Sequence, residues 1–192
     1  NRTSCCEVIY DLYRVSGRKI PPKTAVLLLA GIIADTARFK SANKETFQAV
    51  TQLLIASGKK YEEVLQMVKR SSDSSEVKNV LKALQSAELI ETGKGIIGVC
   101  KSNGFEARCA AELIHVGCVV GICANVKNGK IAMVKNSDDQ NAGEVNVGKL
   151  MKEAGIEMKG SGGGHPAIGG AVGKPELVEK TLAKLVEKTK KL

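Results

Sequence analysis

The ten residues Gly162–Ala171, GGGHPAIGGA, decide how the second half of this 192-residue chain is read. Glycine has no Cβ, so its backbone reaches positive φ and approaches a ligand or a neighbouring segment closely. Successive backbone N–H groups in such a turn form a concave site for an anion such as phosphate. His165, which follows directly, can donate to a phosphate oxygen. A flexible linker is the rival reading, but linkers are Ser-rich and polar, and here Pro166, Ala167, Ile168 and Ala171 follow at once.

Around this stretch the pattern alternates between strands and helices. ELIETGKGIIGVCKS, residues 88–102, predicts a hairpin about Gly93-Lys94-Gly95. CVVGICANVKNGKIAMVKNS, residues 118–137, predicts a second one turning at Asn128-Gly129. Helices are expected over 106–117, from Val145 to Ala154, and from Pro175 onward. Hairpins with a few covering helices make an α+β domain.

The first part reads as all helix. Residues 4–15 carry apolar side chains at helical spacing, with Thr3 or Ser4 as cap and Gly17 as stop. Lys23–Ala34 is almost continuously apolar, which predicts a helix buried on all sides. It runs straight into Asp35, and a carboxylate there is costly unless it is paired, hydrogen-bonded or bound to a cation. A pairing with Arg38 or a cap is the bland reading of Asp35. Asn43 caps a further helix that Gly58 closes, and helices follow over Tyr61–Arg70 and Ser74–Ala87. The polar interval Arg70–Glu76 between them marks the domain boundary.

Charge and cysteine usage narrow the partners. The formal charge is +9; residues 1–70 carry 12 basic and 6 acidic side chains, and residues 71–192 carry 17 and 14. A basic balance favours anionic partners such as nucleotides or nucleic acid, or is simply a solvated Lys-rich surface. With no Trp, three Phe and three Tyr, aromatic base-stacking platforms do not dominate. Six cysteines lie mostly among apolar neighbours without a CxxC pair, and two histidines are few for a zinc cluster. Buried free thiols in a reducing, cytoplasmic setting are therefore expected. No apolar run reaches the ~20 residues of a spanning helix, so no membrane partner is expected.

In this order, GIIADTARFKSAN, residues 31–43, and GGGHPAIGGA resemble the paired motifs of the DHH/DHHA1 phosphoesterases. This RecJ-like family includes the nano-RNases and pAp phosphatases. The first segment is similar to D-T-G-x-F-x-x-x-N, which closes the metal site of the DHH domain. The second is similar to the G-G-G-H of the DHHA1 substrate-binding domain. The opening NRTSCCEVIYDLY resembles the helix after the family's Asp-His-His.

The resemblance implies an α/β and α+β fold. The helical C-terminal part of a DHH domain covers 1–70, a linker helix 71–87, and a mixed α+β DHHA1 domain with an antiparallel-containing sheet 88–192. It implies Asp35 as a ligand of the catalytic Mn²⁺ (or Mg²⁺), one of two ions in the full-length protein, with Thr36 shaping that site. It also implies that Gly162, Gly163, Gly164 and His165 hold a substrate phosphate, with Asp35 and His165 as the catalytic residues. Two hard cations ~3.5–4 Å apart activate a water and stabilise the leaving oxygen.

Three departures qualify the match. Asp-His-His and Asp-x-Asp are absent, and a two-metal centre cannot be built from Asp35 alone. The chain is therefore expected to be the C-terminal portion of a longer protein and inactive alone; a naturally non-catalytic chain is the other explanation. Ala37 stands where the motif has Gly. Lys135-Asn136-Ser137 replaces the usual Arg-Ser before the glycine stretch, which makes Lys135 and Ser137 candidate substrate contacts. Lysine there is a point charge rather than a bidentate fork.

The expected activity is hydrolysis of short oligonucleotides, dinucleotides or nucleoside bisphosphates, held in a cleft between the domains. The alternative is a nucleotide- or RNA-binding module that does not cleave. DHHA1-like segments also occur in alanyl-tRNA synthetases, without the 31–43 motif beside them. A manganese pyrophosphatase of the same superfamily fits less well, for want of GGGH. A homodimer is left open. His115, on a helix end before Gly117, favours the helix dipole and is given no chemical role.

Overall fold

The computed structural model describes residues 2–68 and 73–191. The chain divides into two compact units, Asn1–Ser71 and Ser72–Leu192.

The first unit consists of α1 (Cys5–Ser16), α2 (Pro22–Asp35), α3 (Lys44–Ser57) and α4 (Tyr61–Val68). Ser4 caps α1 by accepting from the Glu7 N–H, and Pro22 opens α2, where a missing N–H costs nothing. Leu29, Ile32 and Ile33 of α2 meet Leu53 of α3 in a fully buried core. Each such side chain stabilises the unit by about 1.5–3 kcal/mol relative to exposure.

The expectation that α2 is buried all round is corrected. Leu27 is 71% exposed, and Ala34 and Asp35 are exposed as well. Within this unit α2 packs on α1, α3 and α4, which cover only part of its circumference. α1 is turned the opposite way from an ordinary amphipathic helix: it buries Glu7 and Tyr10 while Val8, Leu12 and Val15, spaced at i, i+4 and i+7, are exposed.

Glu7 is the buried acid of this unit, in place of the expected Asp35. It is fully buried, and Thr3 donates to it from both its N–H (3.3 Å) and its Oγ1 (2.5 Å). Thr46 donates to the same carboxylate at 3.0 Å. Thr46 also closes the capping box with Asn43 at the start of α3. Arg2 lies 3.9 Å from Glu7 and grips Asp11 through two 2.6 Å hydrogen bonds. One carboxylate thus joins α1 to the N-terminus of α3.

The second unit begins with α5 (Ser74–Gln85), followed by β1 (Glu88–Thr92), β2 (Gly95–Lys101), α6 (Glu106–His115), β3 (Val120–Asn125) and β4 (Lys130–Lys135). α7 (Val147–Glu157), β5 (Ser161–Gly164), β6 (Ile168–Val172) and α8 (Val178–Lys190) complete it. The expected linker helix is α5. It packs on α6 and belongs to this unit. Residues 70–72 of the polar interval before it lie outside the described residues.

The six strands run in the order β1-β2-β3-β4-β6-β5. Only β2 and β3 are parallel, joined through α6; every other neighbouring pair is antiparallel. Both hairpins read from the sequence are present, β1–β2 and β3–β4. The β5–β6 hairpin is the addition: the glycines of GGGHPAIGGA lie in its strands and only residues 165–167 turn, where a glycine turn was expected.

β3 is buried along its whole length because both faces of the sheet are covered there. One face packs Ile122, Ile131 and Met133 against Val147, Met151, Leu182 and Leu185 of α7 and α8. The other packs Cys100 and Cys123 beneath Cys109, Ala110 and Leu113 of α6. The cysteines are free thiols, and four of them (Cys100, Cys109, Cys118, Cys123) are buried. A hydrogen bond with Cys100, reinforced by burial, pushes the Cys123 thiol up to about 12. It stays protonated and behaves as core. Among the described residues no helix is long and apolar enough to cross a membrane.

Candidate functional site

Asp35 is the last residue of α2, and the chain beyond it turns left-handed. Ala37, Arg38 and Phe39 have φ of 47°, 58° and 72°, three consecutive non-glycine residues in a region that costs L-residues about 1–2 kcal/mol each. Thr36, fully buried, holds the turn. Its Oγ1 donates to the Ile32 carbonyl at 2.7 Å and accepts from the Phe39 N–H at 3.1 Å. The Arg38 N–H reaches back to the Ile33 carbonyl at 2.9 Å. The Phe39 ring lies 5.5 Å from that of Phe47 and 5.8 Å from that of Tyr61, in the range where aromatic pairs attract.

The motif is thereby divided by role. Thr36 ties the turn, Phe39 anchors it and Asn43 caps α3, so these three residues are engaged in structure. Asp35 is not. It is exposed and makes no hydrogen bond or ion pair among the described residues, Arg38 included. It also ends a helix whose last turn has no basic residue, where the carbonyl dipoles disfavour a carboxylate. Its charge is felt by Cys6, whose thiol is pushed up first by burial and then by Asp35.

Ala37 explains why the related motif carries glycine at this place. A Cβ at φ 47° is strained, and Gly would remove that cost while adding about 0.5–1 kcal/mol of chain entropy to the unfolded state. Ala37→Gly is expected to stabilise the first unit by about 0.5–1 kcal/mol, read as a higher urea midpoint by tyrosine fluorescence. An unchanged or lower midpoint would show that the turn is not strained.

The glycines of β5 serve packing first. A Cβ on Gly162 would overlap the Met151 carbonyl oxygen of α7, and one on Gly155 of α7 would overlap the backbone of Ser161 and Gly162. Helix and strand touch backbone to backbone. Gly163 faces the other way, with φ of 157° and open space where its side chain would be. On that side Gly163, Gly170, Ala132 and Lys130 floor a groove of about 400 Å³ bordered by Glu106, at the end of the hairpin away from His165.

The hairpin turn is pinned at three consecutive carbonyls. The His165 N–H donates to the Ile168 carbonyl at 2.8 Å, the Lys135 N–H to Ala167 at 2.9 Å, and the Val147 N–H to Pro166 at 3.1 Å. Val147 is the first residue of α7, so the turn sits at that helix's positive end. His165 itself is exposed, and its ring makes no hydrogen bond among the described residues.

Lys135 and His165 are thus neighbours through the Ala167 contact, but the ammonium of Lys135 is directed elsewhere. It donates to the carbonyls of Ala142 and Gly143 at 3.2 and 3.3 Å. Its expected contact with substrate must compete with those two acceptors. Ser137, two residues on, is exposed. His115 pairs with Glu112 at 3.2 Å on the end of α6, in keeping with the expected dipole role.

The described residues do not complete a metal centre: no group of three or more His, Cys, Asp or Glu side chains among them could hold an ion, and a divalent ion takes several oxygen ligands.

Residues 110–191 match the DHHA1 domain family. An uncharacterized protein of Methanocaldococcus jannaschii is 30% identical over 169 residues, covering 87% of this chain and 51% of that protein. An alanine–tRNA ligase of Chlorobaculum tepidum is 34% identical over 93 residues, 46% of this chain and 10% of the ligase. Among solved structures, an exopolyphosphatase-related protein from Bacteroides fragilis superposes with a TM-score of 0.75 at 16% identity, over 99% of this chain and 58% of that one. Residues 110–191 of the second unit therefore carry a DHHA1 domain, and the fold is shared with the exopolyphosphatase-related protein. The chain spans about half the length of the archaeal relative.

Proposed function

We propose that this chain is the substrate-holding part of a metal-dependent phosphoesterase acting on short oligonucleotides, dinucleotides or nucleoside bisphosphates. One observation carries the reading. In the first motif Thr36, Phe39 and Asn43 serve structure and in the second the glycines of β5 serve packing, while Asp35 and His165 are exposed and their side chains have no partner among the described residues. Asp35 supplies one carboxylate to a divalent cation, Mn²⁺ or Mg²⁺. His165, on a turn at the positive end of α7, donates to a substrate phosphate. When bound, the metal would supply an activated water and charge neutralisation at the leaving oxygen.

Because the described residues hold no group of three metal-ligating side chains, the 192-residue chain by itself is expected to show no Mn²⁺-dependent hydrolysis of adenosine 3′,5′-bisphosphate. Turnover that disappears in Asp35→Ala would overturn that. The chain is expected to bind the bisphosphate, and His165→Ala to weaken the binding about tenfold, as loss of a charge-assisted hydrogen bond does. Unchanged affinity in a calorimetric titration would remove the hairpin from the site. The second reading, a nucleotide- or RNA-binding module without hydrolysis, is favoured by the lack of a three-ligand group among the described residues. Mn²⁺ binding by a longer protein that contains this chain, lost in Asp35→Ala, would decide against it.

A further inference from the structure

Arg38 is the residue of the left-handed turn that structure leaves unused. It is exposed, and its guanidinium has no hydrogen-bond or ion-pair partner among the described residues, although an unpaired carboxylate, Asp35, lies three positions away. Had α2 continued for one more turn, Asp35 and Arg38 would occupy i and i+3 on one helix face and would pair. The left-handed run from Ala37 prevents this at the cost of backbone strain. The backbone of Arg38 is nevertheless fixed, by its own N–H to Ile33 and by the Phe39 ring wedged against Phe47 and Tyr61.

Two opposite charges are thus held on one short turn without cancelling. The negative one adds to the negative end of α2, so an approaching phosphate is repelled there unless a cation faces it. A guanidinium supplies that cation and matches two phosphate oxygens with parallel N–H donors.

We propose that Arg38 binds the anionic phosphate oxygens of the substrate beside Asp35 and is a specificity-determining residue of this chain. The inference rests on the reading of Asp35 as part of a phosphoester site. Position 38 is an unspecified place of the motif, so the assignment comes from the turn's geometry.

The test titrates adenosine 3′,5′-bisphosphate, with adenosine as the uncharged control, into the wild-type chain and into Arg38→Asn, Arg38→Lys and His165→Ala. Asn tolerates positive φ, so Arg38→Asn keeps the turn, and its urea curve should overlay that of the wild type. Arg38→Asn is expected to weaken bisphosphate binding about ten- to hundredfold and leave adenosine unaffected. Arg38→Lys, which keeps the charge but loses the fork, should recover only part of the loss. Full affinity in Arg38→Asn with a loss in His165→Ala overturns the Arg38 inference and leaves the phosphoester reading standing. A loss in Arg38→Asn with none in His165→Ala supports Arg38 and removes the hairpin. No bisphosphate binding by the wild-type chain overturns both.

Discussion

Gly162→Ala is expected to destabilise the second unit by about 3 kcal/mol or more, enough to unfold a marginal domain. The added methyl meets the Met151 carbonyl oxygen of α7 and also crowds Ala171, and neither backbone can yield without moving a helix across the sheet. The neighbouring Gly163→Ala meets nothing and should cost only the strain of its φ, about 1–2 kcal/mol. Urea denaturation followed by far-UV circular dichroism separates the two. If Gly163→Ala were the more damaging, the glycines would be serving the outer groove rather than the helix contact.

Glu7→Ala should destabilise the first unit by about 2–3 kcal/mol, the range for charged hydrogen bonds with a polar group left unpaired. The substitution removes the acceptor of Thr3 and Thr46 and leaves Arg2 with Asp11 alone. Glu7→Gln retains an acceptor and should cost less. The three tyrosines, Tyr10, Tyr13 and Tyr61, all lie in this unit, and the chain has no Trp. Tyrosine fluorescence therefore reports the first unit alone. A fluorescence midpoint equal to that of the wild type would show that α1 does not depend on this carboxylate.

What could be read from the sequence follows from the range of the forces involved. Hairpins β1–β2 and β3–β4 and the caps at Ser4 and Asn43 were legible because turn and cap chemistry is local. GGGHPAIGGA was misread as a turn because glycine runs carry no alternation to mark a strand. Their register comes from β4 and α7, which lie outside the stretch itself. The burial of Glu7 was invisible for a similar reason, since its partner Thr46 lies 39 positions on. From the sequence, Asp35 is a carboxylate ending a buried helix; in the structure that carboxylate is exposed. That it is unpaired follows only from the left-handed turn on which Arg38 sits. Asp35 and His165 are singled out by motif resemblance alone, whereas the redirection of the Lys135 ammonium to Ala142 and Gly143 is visible only in the structure.

The backbone-to-backbone contact of α7 with β5 also constrains how this protein can change. Most packing defects can be rescued by a second substitution that shortens a neighbouring side chain. At Gly155 and Gly162 the first obstacle is the main chain itself, which no shortened side chain relieves. A screen for intragenic suppressors of Gly162→Ala should therefore return true revertants and changes that shift α7 bodily, with compensating core replacements largely missing.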